Sequence, residues 1–100
     1  GVTQLADAST TLTLDHVGRT LLMANSAART VTLPSVSLVR AGGWIRFVKT
    51  SPAAFAITLD GSGAETIDGA ATYAGLDAAY DTLLLFCTGT DWVILSRDIA

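Results

Sequence analysis

Apolar and polar residues in this chain fall into short runs broken by turn residues. The clearest pair is Leu83 to Cys87 and Trp92 to Leu95, separated only by Thr88-Gly-Thr-Asp91. A tight polar turn containing glycine between two such runs predicts an antiparallel hairpin. Neither run alternates cleanly, so both faces of these strands call for burial. A chain of 100 residues has limited means to cover a sheet on both sides, and another copy of the chain is the expected cover.

Upstream, the same grammar predicts further strands. Thr10 to Leu14 alternates threonine with leucine, and Asp15-His-Val-Gly18 follows as a turn. Arg19 to Ala24 is a second strand, broken by Asn25-Ser-Ala-Ala28. Arg29 to Leu33 alternates again, and Pro34 ends it because proline cannot donate to a ladder. Ser35 to Ala41 reads as a connection with room for one helical turn. Trp44 to Thr50 is rich in aromatic and β-branched residues, and Phe55, Ile57 and Leu59 share a face of the strand that returns. Asp60-Gly-Ser-Gly63 is a loop, Glu65 to Ile67 a short extended piece, and Asp68-Gly69 a turn. Ala70 to Ala79 is the least legible stretch.

No helical period persists over three turns. The expected fold is all-β: a small antiparallel β-sandwich, jelly-roll-like, in one domain spanning residues 1–100. The chain begins with Gly1, and it is read as a piece of a longer protein.

Composition narrows the function classes. Charged residues make up 15% of the chain, against roughly 25% in typical soluble domains. The net charge is −3 and the six Lys and Arg residues are dispersed, which argues against nucleic-acid binding by phosphate neutralisation. The apolar runs fall far short of the roughly 20 residues a spanning helix needs, so membrane insertion is not expected. Cys87 is the single cysteine and lies within an apolar run, where it reads as a small buried hydrophobe.

Candidate chemistry is thin. His16 is the only histidine, no Gly-x-Ser-x-Gly elbow accompanies it, and a lone turn histidine beside an aspartate is common on surfaces. The chain is therefore not read as an enzyme, and no catalytic residue is assigned. Asp60, Glu65 and Asp68 bracket a glycine-rich loop that could offer oxygen ligands to calcium, but the dense Asp-x-Asp-x-Asp-Gly run is missing. No metal or cofactor is assigned. Gly61, Gly63 and Gly69 lack the lysine and helix context of a phosphate loop. Among Trp44, Tyr73, Tyr80 and Trp92, the tryptophans head strands and suit a core or a subunit contact. Tyr73 and Tyr80 are the better candidates for stacking on a glycan.

Three blocks, taken in order, resemble a β-domain that recurs in virion proteins of tailed bacteriophages. The first is Asp15-His-Val-Gly-Arg-Thr-Leu-Leu-Met-Ala-Asn25, running on to Arg29-Thr-Val-Thr-Leu-Pro34. The second is Gly43-Trp-Ile-Arg-Phe-Val-Lys-Thr50, with the return strand to Ile57 and the segment Asp60 to Gly69. The third is Thr88-Gly-Thr-Asp-Trp-Val-Ile94. The progression is similar to head-decoration, head-fibre and tail-fibre modules and covers the chain from about Leu12 to Ser96.

The resemblance implies a homotrimer on the virion surface, on the capsid exterior or tail, with capsid or tail proteins as partners. It brings no active-site motif. In this reading Trp44, Phe47, Leu84 and Phe86 are the expected subunit-interface residues, on the last hairpin and the Trp44 to Val48 strand. The alternative is a host-attachment module that binds a surface glycan through Tyr73 and Tyr80.

Overall fold

Three consecutive passes of the chain leave one strand in each of two sheets. The computed structural model describes residues 1–52 and 54–99. Strands β1 (Val2–Gln4), β3 (Thr20–Met23) and β5 (Trp44–Lys49) lie side by side and parallel in the larger sheet. The strands between them in sequence, β2 (Thr10–Thr11), β4 (Arg29–Thr32) and β6 (Ile57–Asp60), form the parallel part of the smaller sheet. Val2 pairs with Thr20 and Thr20 with Arg46; in the other sheet Thr10 pairs with Val31 and Val31 with Leu59.

Three later strands close the sheets antiparallel. β7 (Thr72–Leu76) pairs with β6, β8 (Thr82–Cys87) with β5, and β9 (Trp92–Asp98) with β8. The result is a β-rich fold of two mixed sheets, ordered β1-β3-β5-β8-β9 and β2-β4-β6-β7.

The expectation of antiparallel pairing throughout is corrected by these registers. Only the last hairpin folds back tightly as its sequence predicts, with Gly89 at φ 102 in the turn and the Thr88 N–H donating to the Asp91 carbonyl at 2.9 Å. Between β1 and β6, and again between β7 and β8, a polar break between two apolar runs carries the chain across to the opposite sheet. Turn residues encode a change of direction and say nothing about which strand becomes the neighbour.

Local details follow the same physics. The first strand starts at Val2, earlier than the alternating pattern suggests. The Thr10 to Leu14 pattern yields only two strand residues, because Thr13 caps a 3₁₀ turn over Leu14–His16. The helical turn allowed between Ser35 and Ala41 is present as α1 (Val36–Val39), and the illegible stretch after Ala70 contains β7. Ile57 and Leu59 turn inward, whereas Phe55, grouped with them by spacing, precedes β6 and is exposed.

Inward side chains from both sheets share one apolar cluster. Leu21, Met23, Ile45, Phe47, Leu83, Leu85 and Cys87 come from the larger sheet; Val31, Ile57, Leu59 and Leu76 come from the smaller. Each fully buried aliphatic or aromatic side chain contributes about 1.5–3 kcal/mol by leaving water. Trp92 heads β9 and is completely buried with them.

One end of this core is polar. Lys49 is buried, and its Nζ donates to the Ser51 carbonyl at 2.9 Å and to Ser51 Oγ at 2.8 Å. Ser51 Oγ donates to Asn25 Oδ1 at 2.8 Å, and Asn25 Nδ2 donates to the carbonyls of Ala27 and Phe55. Asp81, also buried, accepts from the backbone N–H groups of Asp77 and Ala78 through Oδ2. Such partners are what allow polar groups to sit inside a fold.

Candidate functional site

Strand alternation gives the larger sheet an outer face that is also apolar. Ile45, Phe47 and Lys49 point inward on β5, so Trp44, Arg46 and Val48 point out. On β8 the inward residues are Leu83, Leu85 and Cys87, leaving Leu84 and Phe86 on the outside. In register, Trp44 stands beside Phe86 and Phe86 beside Val93, while Arg46 stands beside Leu84.

A bulge completes the surface. Leu84 pairs with Ser96 and Leu85 with Ile94, so Leu95 is the extra residue on β9. It is 59% exposed and lines, with Trp44, Arg46, Leu84 and Phe86, a cleft of about 240 Å³. The Arg46 guanidinium lies over the Trp44 ring, 5.9 Å from its centroid, which covers part of the indole while leaving the charge at the surface.

Three of the four interface residues expected from sequence therefore meet in one cleft: Trp44, Leu84 and Phe86. Phe47 does not. It is 0% exposed and turns into the core, one position out of phase with Trp44 and Arg46. Assigning Phe47 to the same surface as Trp44 overlooked the two-residue period on that strand. Arg46 and Leu95 belong to the cleft and were missed, Arg46 because it is charged and Leu95 because a bulge has no clear sequence signature.

A second depression lies where the parallel strands of the smaller sheet end. Residues 11–15 at the end of β2, residues 33–35 and Leu38 after β4, and Ser62 after β6 enclose about 430 Å³. Leu12, Leu33 and Pro34 form a buried floor, and Leu14 and Leu38 are exposed walls.

The remaining candidates are engaged separately. His16 Nδ1 accepts the Thr13 N–H at 2.9 Å, so the ring caps its own 3₁₀ turn. The Glu65 carboxylate accepts the Val36 N–H, while Asp68 accepts from Ile94 and pairs with Arg97. Among the described residues no group of three His, Cys, Asp or Glu side chains is placed to hold a metal. Cys87 is buried as its surroundings in sequence suggest. No helix among those residues is long and apolar enough to cross a membrane.

The two tyrosines differ in setting. Tyr73, on β7, is half-buried; its hydroxyl lies against Gly75, and the Arg97 guanidinium sits 5.4 Å from its ring centroid. Tyr80 is 70% exposed at φ 64, an uncommon conformation for an aromatic residue, on the turn leading into β8.

Asp7 is a further site that sequence reading missed. Its carboxylate accepts from the Ser26 N–H, from Ser26 Oγ at 2.6 Å, and from Arg29 Nε at 2.8 Å. The Arg29 hydrogen bond first, and then those from Ser26, hold its carboxyl far below the usual carboxylate range. This ties the first pass of the chain to the second.

No family model matches the chain, and no curated protein matches it in sequence.

Proposed function

We propose that the chain is a structural assembly module of a phage or phage-like particle. Its two sheets act as a small sandwich that trimerises and sits on the virion surface, decorating the capsid or forming part of a head or tail fibre or spike. The observation that carries the assembly reading is the cleft of Trp44, Leu84, Phe86 and Leu95 on a sheet whose opposite face already packs the core. Contiguous exposed apolar surface marks an interaction site, and closed symmetry is a common way for identical chains to cover it. The assignment to virions rests on the sequence resemblance. In this role the chain carries no catalysis and needs no cofactor.

Light scattering on a sizing column tests the assembly reading. The expected mass is three times the 10.3 kDa chain mass. Phe86→Asp should reduce it to one chain while the circular dichroism spectrum stays β-rich. A wild-type chain that remains single at high concentration overturns the proposal.

A glycan-binding host-attachment role is the second reading, supported by the exposure of Tyr80. It predicts that Tyr80→Ala abolishes binding on a glycan array without changing oligomeric mass.

A further inference from the structure

The two apolar depressions carry opposite charges. In the cleft of the larger sheet the charged residue is Arg46, which is exposed, makes one long hydrogen bond to Thr20 Oγ1 at 3.4 Å and has no carboxylate partner among the described residues. In the groove at the end of the smaller sheet it is Asp15. Its carboxylate makes no hydrogen bond or ion pair among the described residues; only its backbone N–H is engaged, donating to Thr13 Oγ1. Each depression thus pairs exposed leucine or tryptophan with one charge that has no ion-pair partner among the described residues.

Symmetry gives this arrangement a meaning. In a two-fold dimer the same patch meets itself, which would bring Arg46 towards its own copy. In a cyclic trimer each contact is heterologous: one surface of a chain meets a different surface of the next. Such a ring needs two complementary surfaces on every subunit. The cleft and the groove differ in volume, about 240 against 430 Å³, share an apolar lining and are opposite in charge, so cleft-to-cleft or groove-to-groove contact would set like charges face to face.

Resting on the trimeric reading above, we infer that the Leu14–Asp15–Leu38 groove is the socket for the Trp44–Arg46 face of the next copy. The indole and its neighbouring leucines cover Leu14 and Leu38, and Arg46 meets Asp15 at the rim. The charge pair sets register and direction around the ring, while the apolar contacts supply most of the association.

A charge-swap experiment on the full chain tests this. Asp15→Arg and Arg46→Glu alter exposed side chains, so both variants should keep the wild-type circular dichroism spectrum. Each alone should shift the light-scattering mass from three chains towards one, and the double variant should regain the trimer. Leu38→Glu should also dissociate it, giving a second probe that does not depend on the ion pair. A wild-type monomer overturns the trimeric reading and this inference together. A wild-type trimer that survives either single swap or Leu38→Glu, or that the double swap fails to restore, overturns the socket alone.

Discussion

The Asp68 carboxylate accepts the Ile94 backbone N–H at 2.8 Å, occupying a position on β9 that a neighbouring strand would otherwise fill. Two residues earlier on β9, the Trp92 N–H donates to the Thr66 carbonyl and the Asp68 N–H donates to the Trp92 carbonyl. The outer edge of the larger sheet is therefore covered over its first half by the segment 66–68. An open edge is a template for uncontrolled pairing, and a side-chain acceptor closes it without extending the sheet.

Asp68→Ala should uncover that edge. We expect a loss of about 1.5–3 kcal/mol in urea unfolding, the scale of a hydrogen bond to a charged group, together with faster growth of light scattering on incubation. Unchanged solubility and unchanged midpoint would show that Asp68 does not guard the edge.

Asp7 should give the fold a specific acid sensitivity. Because Arg29 and Ser26 hold its folded-state pKa below the unfolded value, its contribution is present above about pH 4, the ordinary carboxylate range, and is lost as pH falls further. Asp7→Asn should flatten that acid limb of stability against pH and leave the neutral-to-alkaline limb parallel to wild type. Two parallel acid limbs would show that other carboxylates govern the transition.

Asn25 is the hub of the buried polar cluster. Asn25→Ala leaves Ser51 Oγ and the carbonyls of Ala27 and Phe55 without this partner. Ser51 Oγ keeps Lys49 Nζ as a donor, but its own hydroxyl hydrogen and the two part-buried carbonyls lose this partner. A buried group left unsatisfied costs about 1–3 kcal/mol, so the variant should melt below wild type in a calorimetric scan. A shift of only a degree or two would mean that water enters and replaces the amide.

Phe47 and Trp44 should separate core from surface. Phe47→Ala removes a fully buried ring and should cost about 3–5 kcal/mol, read from chemical unfolding at fixed chain concentration. Trp44→Ala should affect association much more than the stability of the single chain. Equal effects of the two on both readouts would erase the distinction between the two faces of β5.

Much of the secondary structure was legible because side-chain alternation is a local property. Val31 and Leu59 announce their inward positions through the polar residues on either side of them. The doubly apolar character of β8 was equally plain, and it pointed to the surface now seen around Leu84 and Phe86. Strand partners were not legible. Thr20 pairs with Arg46 across an intervening strand that belongs to the other sheet, and nothing near either residue records that. The Asp7–Arg29 clasp and the Lys49–Ser51–Asn25 cluster escaped for the same reason: their members look like ordinary loop or strand residues until the passes of the chain are stacked.

The alternation of strands between sheets also governs how the molecule can be divided. A cut in the connection between β2 and β3, or between β4 and β5, splits both sheets at once, because each pass contributes a strand to each. Neither sheet exists as a contiguous stretch of polypeptide that could be excised, swapped or folded ahead of the other. Fragment complementation should therefore succeed only when both pieces are present together, and proteolysis at one connection should unravel the two sheets in step.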